Sequence, residues 1–387
     1  MSRRVAVAVA VVAIAVRVAA TAALIFGPWT DSADELTGWD TSRFAAIAEA
    51  PGRHWVDHAV EYPPGSVVVI EAVAGGGPVS ALRVVVALSL VVDLGLAAFL
   101  RRAAGTRAQG DRAALAYLVI GTPMVLAGLV RLDLWAAALG TVGVVALARR
   151  RPAGVAVGAV AGAMVKIFPV LLVPIAVGAR RFREAVAAVG VGALAGAAWL
   201  AYGGFDALDQ VLSLRGATGW HVETIPGSIL ALAGDEPRFE ADAWRIGTID
   251  ETVVFALRVV ALAVTGGLSW LLWRLSSRGD STIDLRHLAL AATGSIAALL
   301  LTAPLFSPQF MLWLTPFAAL TIPTGDDRRG WLPLALTGFA ALTTAIVLGI
   351  FSPEGVDHPI AALALLGRDA LLVALVAAAG RDLYSAR

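Results

Sequence analysis

Apolar segments long enough to cross a lipid bilayer recur along the whole chain, and they limit its possible folds more than any other feature. A crossing helix takes about 20 apolar residues. Of the 387 residues, 58% are hydrophobic and only 15% are charged, whereas a soluble domain carries about 25% charged residues. The sequence therefore predicts an all-α polytopic membrane protein, and it excludes a soluble enzyme, a nucleic-acid-binding protein and a disordered scaffold.

Hydropathy divides the chain into about twelve predicted membrane helices, which we assign to one domain, residues 1–387. We interpret the first as an uncleaved helix, because its apolar run is longer than the 7–15 residues of a signal peptide. The predicted helices are 5–26, 80–100, 113–130, 134–148, 153–165, 168–179, 185–202, 252–273, 287–305, 310–323, 331–351 and 360–379.

The positions of the arginines orient these helices, because positive side chains are enriched in cytoplasmic loops. With alternating sides, 19 of the 29 arginines fall in cytoplasmic loops, whereas 20 of the 29 acidic residues fall outside. The sequence thus predicts a multi-pass protein of the cell (plasma) membrane with both termini in the cytoplasm. Two extracytoplasmic loops are large, residues 27–79 and 203–250.

Two segments do not fit a simple alternation. Residues 64–76 are apolar but too short to cross, and we expect them to lie along the external membrane surface. Residues 153–179 lie between two arginine groups that are both cytoplasmic, so the chain must enter the membrane and return, over about 20 Å each way. They predict a short helical hairpin with residues 166–169 at its apex and Pro169 in the first turn of the returning helix.

Polar residues gather on the predicted external face, and their cost in a membrane makes them functional candidates. Phe44 and Ile47 recur at helical spacing after Asp40, which predicts an interfacial helix over 41–49 that begins at Asp40. Asp is a preferred helix N-cap, so capping alone is one explanation of Asp40. The alternative is a carboxylate at the membrane surface that accepts a proton from a hydroxyl nucleophile.

Three more charged residues lie on the same predicted face. Arg131 and Asp133 flank a tight external turn, where they either close the turn as a local pair or contribute to a site. Lys166 is the single lysine of the chain and lies at the hairpin apex. It either extends to the lipid headgroups or provides a cation for a lipid phosphate.

The second large loop contains a polar motif, residues 219–228. His221 and Glu223 alternate as in an extended strand and can face one side, although a solvated loop is the alternative. The five histidines are scattered and there is no cysteine, which argues against a metal site. No glycine-rich loop is present to hold a soluble nucleotide-sugar. We therefore expect neither a metal nor another cofactor.

Taken together and in this order, these motifs resemble the GT-C superfamily of membrane glycosyltransferases. Within that superfamily the chain is most similar to the actinobacterial polyprenol-phosphate-mannose-dependent α-mannosyltransferases, glycosyltransferase family 87. The resemblance extends over nearly the whole chain. It rests on Asp40 with Phe44, Ile47 and Ala48; Glu61-Tyr62-Pro63-Pro64; Arg131-x-Asp133; Lys166-Ile167-Phe168-Pro169; residues 219–228; and Ser307-Pro308-Gln309-Phe310.

The resemblance implies a GT-C fold, polyprenyl-phosphate-mannose as a lipid-linked donor, and an extracytoplasmic active site under the first large loop. Asp40 matches the general base of such enzymes, and Lys166 matches their contact to the donor phosphate. We expect Arg131 and His221 to add charge-assisted hydrogen bonds to that phosphate, and the reaction to invert the anomeric configuration. The residues expected to bind substrate are Trp39, Glu61, Tyr62, Asp133, Trp220, Glu223 and Gln309.

The expected partners are the polyprenyl-phosphate-sugar donor, a glycolipid or glycan acceptor and membrane lipids, with no nucleic acid. The sugar, the acceptor and the linkage stay open. A lipid or solute transporter is the main alternative, because charged residues such as Asp93, Arg258 and Arg368 lie within predicted helices. Transporters usually contain internal repeats with polar residues near the bilayer midplane. This chain shows no repeat, and its polar motifs lie on one face, which favours the enzyme.

Overall fold

The apolar segments fold as helices in the computed structural model, which describes residues 2–27, 40–212, 217–241, 243–277, 283–322, 328–351 and 358–386. The helices are α1 (Arg3–Phe26), α2 (Asp40–Glu49), α3 (Pro64–Ala74), α4 (Pro78–Ala103), α5 (Arg107–Leu129), α6 (Asp133–Ala148), α7 (Pro152–Val165), α8 (Phe168–Gly178), α9 (Phe182–Leu212), α10 (Ile225–Ala233), α11 (Glu251–Ser276), α12 (Leu285–Thr302), α13 (Thr315–Leu320), α14 (Leu332–Phe351) and α15 (Pro359–Ser385). The strands are β1 (Trp220–His221), β2 (Arg238–Glu240) and β3 (Ala243–Ile246).

Within the described residues, eight helices are long and apolar enough to cross a membrane, namely α1, α4, α5, α9, α11, α12, α14 and α15. The chain is therefore a polytopic helical membrane protein. Helices α6, α7 and α8 are shorter, between 10 and 17 residues. The predicted helix 310–323 is divided between a 3₁₀ segment, Pro308–Trp313, and α13. The predicted number of twelve membrane helices is thus not confirmed.

Proline and glycine explain where two predicted helices end or divide. Pro308 lies in the first turn of the 3₁₀ segment and Pro316 in the first turn of α13. Proline has no N–H to donate, so it is tolerated in a first turn but interrupts the interior of a helix. Gly204 has φ 68° inside α9, so the helix kinks there and continues to Leu212. The predicted helix 185–202 ends next to this kink. The residues that follow it, up to Leu212, are predicted to belong to the loop 203–250 but are helical in the structure.

The long helices differ in how deeply they are enclosed. In the most apolar part of α12, 72% of the residues are buried, compared with 11% in α9. The exposed side chains of α9 include apolar residues such as Val186 and Leu194. Lipid tails are as apolar as these side chains, so α9 has the surface that a peripheral, lipid-facing helix requires.

The hairpin predicted for residues 153–179 is formed by α7 and α8, and it packs against α6 through two glycines. A Cβ atom on Gly158 would lie 2.3 Å from the Cα atom of Gly143. Residues Val157–Ala161 of α7 form a π-helical turn at this contact. The two backbones therefore touch, and neither position has room for a side chain.

Substitution of Gly158 by alanine is expected to lower the free energy of unfolding by about 1–3 kcal/mol, the usual cost of overpacking. The added methyl group would push α7 away from α6. Thermal unfolding in detergent measures the effect. Gly190→Ala in α9 is the matched control, because nothing lies within 4 Å of its Cβ position; there alanine is expected to be neutral or slightly stabilising. Equal melting temperatures for the two variants would contradict the prediction.

The loop after α9 contains the one sheet of the described residues, so the fold is not purely helical. Its strand order is β1-β3-β2, and both pairs are antiparallel. Trp220 lies opposite Ile246, and His221 lies opposite Arg245. His221 is thus in an extended strand, but β1 is only two residues long and the chain turns at residues 222–223, so the predicted extended segment does not reach Glu223.

A buried ion pair joins three of the long helices. Arg17 of α1 donates from Nε to Oδ2 of Asp93 in α4 at 2.6 Å, and both side chains are less than a tenth exposed. Tyr117 of α5 donates its hydroxyl to the other oxygen of Asp93, and Arg17 also donates to Thr122 Oγ1 at 3.1 Å. These bonds join α1, α4 and α5.

Candidate active site

Helix α2 begins at Asp40 and faces the protein with Thr41, Phe44 and Ile47, which are buried. The predicted helix over 41–49 is thus confirmed. Asp40 is paired with a residue of the turn between α5 and α6: Arg131 donates from Nε to Oδ2 of Asp40 at 2.7 Å. About a quarter of each of these two side chains is exposed. The carboxylate is therefore partly exposed and lies next to a cation.

A second ion pair fixes α2 to the segment before α3. Arg43 donates to Glu61 at 2.8 Å and to the Ala59 carbonyl oxygen at 2.8 Å. The ring of Phe44 meets the ring of Tyr62 edge-on, with 5.6 Å between centroids. Glu61, which the sequence predicts to bind substrate, is engaged with Arg43.

Lys166 lies at the apex of the hairpin, between a carboxylate and an aromatic ring. Its backbone is extended, which ends α7. Its Nζ atom is 3.9 Å from Oδ2 of Asp133 and 5.0 Å from the centre of the Tyr62 ring. Pro169 is in the first turn of the returning helix, as predicted. The apex thus brings together three of the predicted site residues.

The start of α3 holds this apex in place. Ser66 donates from Oγ to the Val165 carbonyl oxygen at 2.7 Å, and a Cβ atom on Gly65 would lie 2.8 Å from the Met164 carbonyl oxygen. The sequence predicts that residues 64–76 lie along the external membrane surface. In the structure they form a helix whose buried face includes Val67 and Ile70, and whose first turn packs on the hairpin.

Asp133 is almost fully buried, and it contacts Trp313 as well as Lys166. Trp313 donates from Nε1 to Oδ1 of Asp133 at 2.8 Å. The ring of Trp313 is stacked between Phe168 and Phe310, at 4.5 and 4.3 Å. Arg131 and Asp133 therefore engage different partners, and neither is explained by a local pair that closes the turn.

The motif of residues 219–228 folds as a tight turn between β1 and α10. The Thr224 hydroxyl donates to the His221 carbonyl oxygen at 2.7 Å and accepts from the Gly227 N–H at 3.1 Å. A Cβ atom on Gly227 would lie 2.2 Å from the same carbonyl oxygen. The backbone chemistry of the motif thus positions His221 and Glu223, which are both buried.

His221 is neutral in this environment. Burial, together with the positive charges of Arg245, Arg368 and Arg131, lowers the pKa of its imidazole to about 3. The Glu223 N–H donates to Nδ1 of His221 at 3.3 Å, which places the ring proton on Nε2. We expected His221 to offer the phosphate a charge-assisted hydrogen bond. A neutral imidazole can still donate such a bond, because the phosphate is ionised, so this expectation stays a prediction and His221 itself brings no positive charge.

Glu223 lies against a fully buried arginine from α15. Burial raises the pKa of its carboxyl group to about 7; Arg368 opposes this shift and Asp369 adds to it. Arg368 donates to Oε2 of Glu223 at 3.4 Å and also to the Glu223 backbone carbonyl oxygen. Its guanidinium group lies 3.8 Å from the centre of the Phe306 ring and 2.9 Å from Asp369.

Glu223 is expected to make the protein less stable as the pH rises from about 4.5 to 7. An acid whose pKa is raised by folding binds more protons in the folded state across this window, so stability falls with increasing pH. Glu223→Gln cannot titrate, and its melting temperature should change less with pH over that range. Glu240→Gln, which removes a partly exposed carboxylate of β2, should keep the wild-type slope. A wild-type slope in Glu223→Gln would contradict the prediction.

Sequence reasoning missed Arg368 and Phe306 as members of this site. The available signal was an Arg-Asp pair inside an apolar helix, which we treated only as an argument for the transporter. Two other predicted residues are buried in packed parts of the protein, and a third falls outside the described residues. Trp220 packs in a cluster with Ile246, Gln309 is buried in the 3₁₀ segment, and Trp39 lies outside the described residues.

The geometry combines a partly exposed carboxylate with three cations, Arg131, Lys166 and Arg368. Such a site can hold an anion and accept a proton next to it. Among the described residues, no group of three His, Asp or Glu side chains is arranged to bind a metal ion.

Residues 61–308 match the model of glycosyltransferase family 87, which is more than half of the chain. This range contains Lys166, His221 and Glu223, whereas Asp40 and Arg368 lie outside it. No curated protein and no solved structure matches the chain significantly.

Proposed function

The chain belongs to glycosyltransferase family 87, and we propose that this membrane glycosyltransferase uses a polyprenyl-phosphate-linked sugar as its donor. The transferred sugar is mannose or a related residue, and the acceptor is a glycolipid or a cell-envelope glycan. The reaction takes place on the extracytoplasmic face. The observation that carries the proposal is the position of Asp40 beside Arg131, two residues before Asp133, the carboxylate that lies beside Lys166.

In the proposed reaction, the oxygen of the acceptor hydroxyl group attacks the anomeric carbon of the donor sugar. At the same time Asp40 accepts the proton of that hydroxyl group. The bond from that carbon to the phosphate oxygen breaks, and its electron pair leaves with the phosphate. Attack from the opposite face inverts the anomeric configuration. The phosphate is an adequate leaving group, so no general acid is needed.

The cations have a separate role in this proposal. Lys166 and Arg131 stabilise the charge that develops on the leaving phosphate, an effect that is large when the donors are placed in advance. His221 adds a neutral hydrogen-bond donor from Nε2. Asp133 and Tyr62 keep Lys166 at the apex, and the proposal needs no metal.

Substitution of Lys166 by methionine is expected to slow transfer by about tenfold to 100-fold, because a charged hydrogen bond is worth about 1.5–3 kcal/mol. Arginine at the same position retains the charge and should lose less. The measurement is the initial rate of product formation in detergent, with labelled polyprenyl-phosphate-mannose and membrane glycolipid acceptors. Equal rates for the methionine variant and the wild type would contradict the phosphate role of Lys166.

The same labelled donor separates the enzyme from the transporter. The proposal expects a labelled glycolipid to form in detergent, where no compartments exist. In sealed vesicles, movement of labelled donor across the membrane without any product would instead support a transporter and overturn the proposed reaction.

A further inference from the structure

The contacts that Lys166 makes itself are long. Its Nζ atom lies 3.9 Å from Oδ2 of Asp133 and 5.0 Å from the centre of the Tyr62 ring, whereas a hydrogen bond from nitrogen to oxygen measures about 2.7–3.2 Å. The ammonium group is at the end of a flexible four-carbon chain, and the side chain is 22% exposed. The position of this cation therefore depends on how firmly its neighbours are held, and its charged neighbour is Asp133.

Asp133 divides its two carboxylate oxygens between two partners. Oδ1 accepts a hydrogen bond from Nε1 of Trp313 at 2.8 Å, and Oδ2 faces Lys166. The terminal torsion of an aspartate side chain has a broad energy minimum, so the hydrogen bond from Trp313 fixes the rotation of the carboxylate and leaves Oδ2 turned toward the lysine. The side chain of Asp133 is 2% exposed, so water has little access to replace the indole N–H group.

The indole ring of Trp313 is itself held on both faces. Phe310 and Phe168 stack on it at 4.3 and 4.5 Å between ring centroids, with interplanar angles of 25° and 15°. Phe168 belongs to the hairpin apex, two residues after Lys166. Trp313 therefore packs against the apex with its ring while its N–H group reaches the first turn of α6. It joins the two elements that carry the lysine and its carboxylate.

We propose that Trp313 is a positioning residue for the transfer reaction: its N–H group orients Asp133, and Asp133 in turn places the Lys166 ammonium group for the donor phosphate. The inference rests on the proposed function and extends it to a residue of the 3₁₀ segment that acts through Asp133. A cation stabilises a transition state most when it is in place before the reaction begins, and supporting hydrogen bonds keep such groups in place.

Trp313→Phe is the test variant, because phenylalanine keeps a ring for the stack with Phe168 and Phe310 but has no N–H group. We expect sugar transfer to slow by about tenfold, since a small misplacement of a group in the site can cost up to about 100-fold. The measurement is the initial rate in detergent with labelled polyprenyl-phosphate-mannose and membrane glycolipid acceptors, together with the melting temperature of each preparation.

Trp135→Phe is the matched control. Trp135 also belongs to α6, two residues after Asp133, and it donates from Nε1 to Oγ of Ser89 at 3.0 Å. Its replacement by phenylalanine likewise removes one indole hydrogen bond but leaves Asp133 with both partners. The transfer rate of this variant should stay close to that of the wild type.

The dependence on Lys166 separates positioning from a general loss of structure. In a Lys166→Met background no ammonium group remains to be placed, so adding Trp313→Phe should change the rate little, because effects that act through one group are not additive. A purely structural role of Trp313 would instead slow both backgrounds by the same factor. Should the double variant unfold, the Kd for polyprenyl phosphate decides: Trp313→Phe should weaken binding and Trp135→Phe should not, and equal affinities overturn the inference.

Two results overturn the inference in distinguishable ways. If the wild type transfers sugar and Lys166→Met slows it, but Trp313→Phe matches the wild type or slows both backgrounds equally, only the positioning role of Trp313 fails. If the wild type transfers no sugar and polyprenyl phosphate does not raise its melting temperature, the donor class fails, and the inference falls with the proposed function.

Discussion

Replacement of Asp40 by asparagine is expected to slow sugar transfer by about 100- to 10,000-fold, the usual contribution of a general base. Asparagine has nearly the same shape as aspartate, and its carbonyl oxygen can still accept the hydrogen bond from Arg131. It cannot take up a proton from the acceptor hydroxyl group. The variant should therefore fold and bind the donor normally but lose the chemical step.

The measurement is the initial rate with saturating labelled donor, together with the melting temperature of the same preparation. Glu49→Gln is the matched control, because Glu49 is an exposed carboxylate at the other end of α2. Its transfer rate should stay close to that of the wild type. A folded Asp40→Asn variant with a near-normal rate would exclude Asp40 as the base.

The largest expected effect on stability is at Asp93. Asparagine at this position leaves the buried guanidinium group of Arg17 without a counter-charge, which costs about 3–5 kcal/mol when one partner of a buried pair is removed. The Tyr117 hydroxyl group also loses its charged acceptor. We expect the variant to unfold at a clearly lower temperature in detergent.

Asp111→Asn is the matched control, because the Arg101–Asp111 pair has a similar distance of 2.6 Å but is about half exposed. Exposed pairs contribute about 0–1 kcal/mol, so this variant should melt close to the wild type. A double variant, Arg17→Met with Asp93→Leu, removes both charges and should recover much of the stability. Similar melting temperatures for Asp93→Asn and Asp111→Asn would show that the buried pair contributes little.

Features that depend on local chemistry could be predicted from the sequence. The spacing of Phe44 and Ile47 predicted α2, because helical periodicity places both on the buried face. Arginine groups on both sides of residues 153–179 predicted a hairpin, because a single crossing would put one group on the wrong side. Both predictions use neighbouring residues and the properties of the bilayer.

Features that depend on distant partners could not be predicted. Arg368 and Glu223 are separated by 145 positions in the chain, and no local pattern shows that α15 meets the turn before α10. The same holds for Arg131 and Asp40, whose pairing requires that the start of α2 be placed beside the turn before α6. The residues next to Gly204 likewise do not predict that α9 continues beyond the kink at this glycine.

The contact between Gly143 and Gly158 has a geometric consequence for the phosphate site. Because the two backbones touch, α7 cannot pack closer to α6, and the glycine pair sets the smallest distance between the two helices. Eight residues separate Gly158 from Lys166, about 12 Å at 1.5 Å per residue. The position of Lys166 relative to α6 is therefore fixed by two residues without side chains.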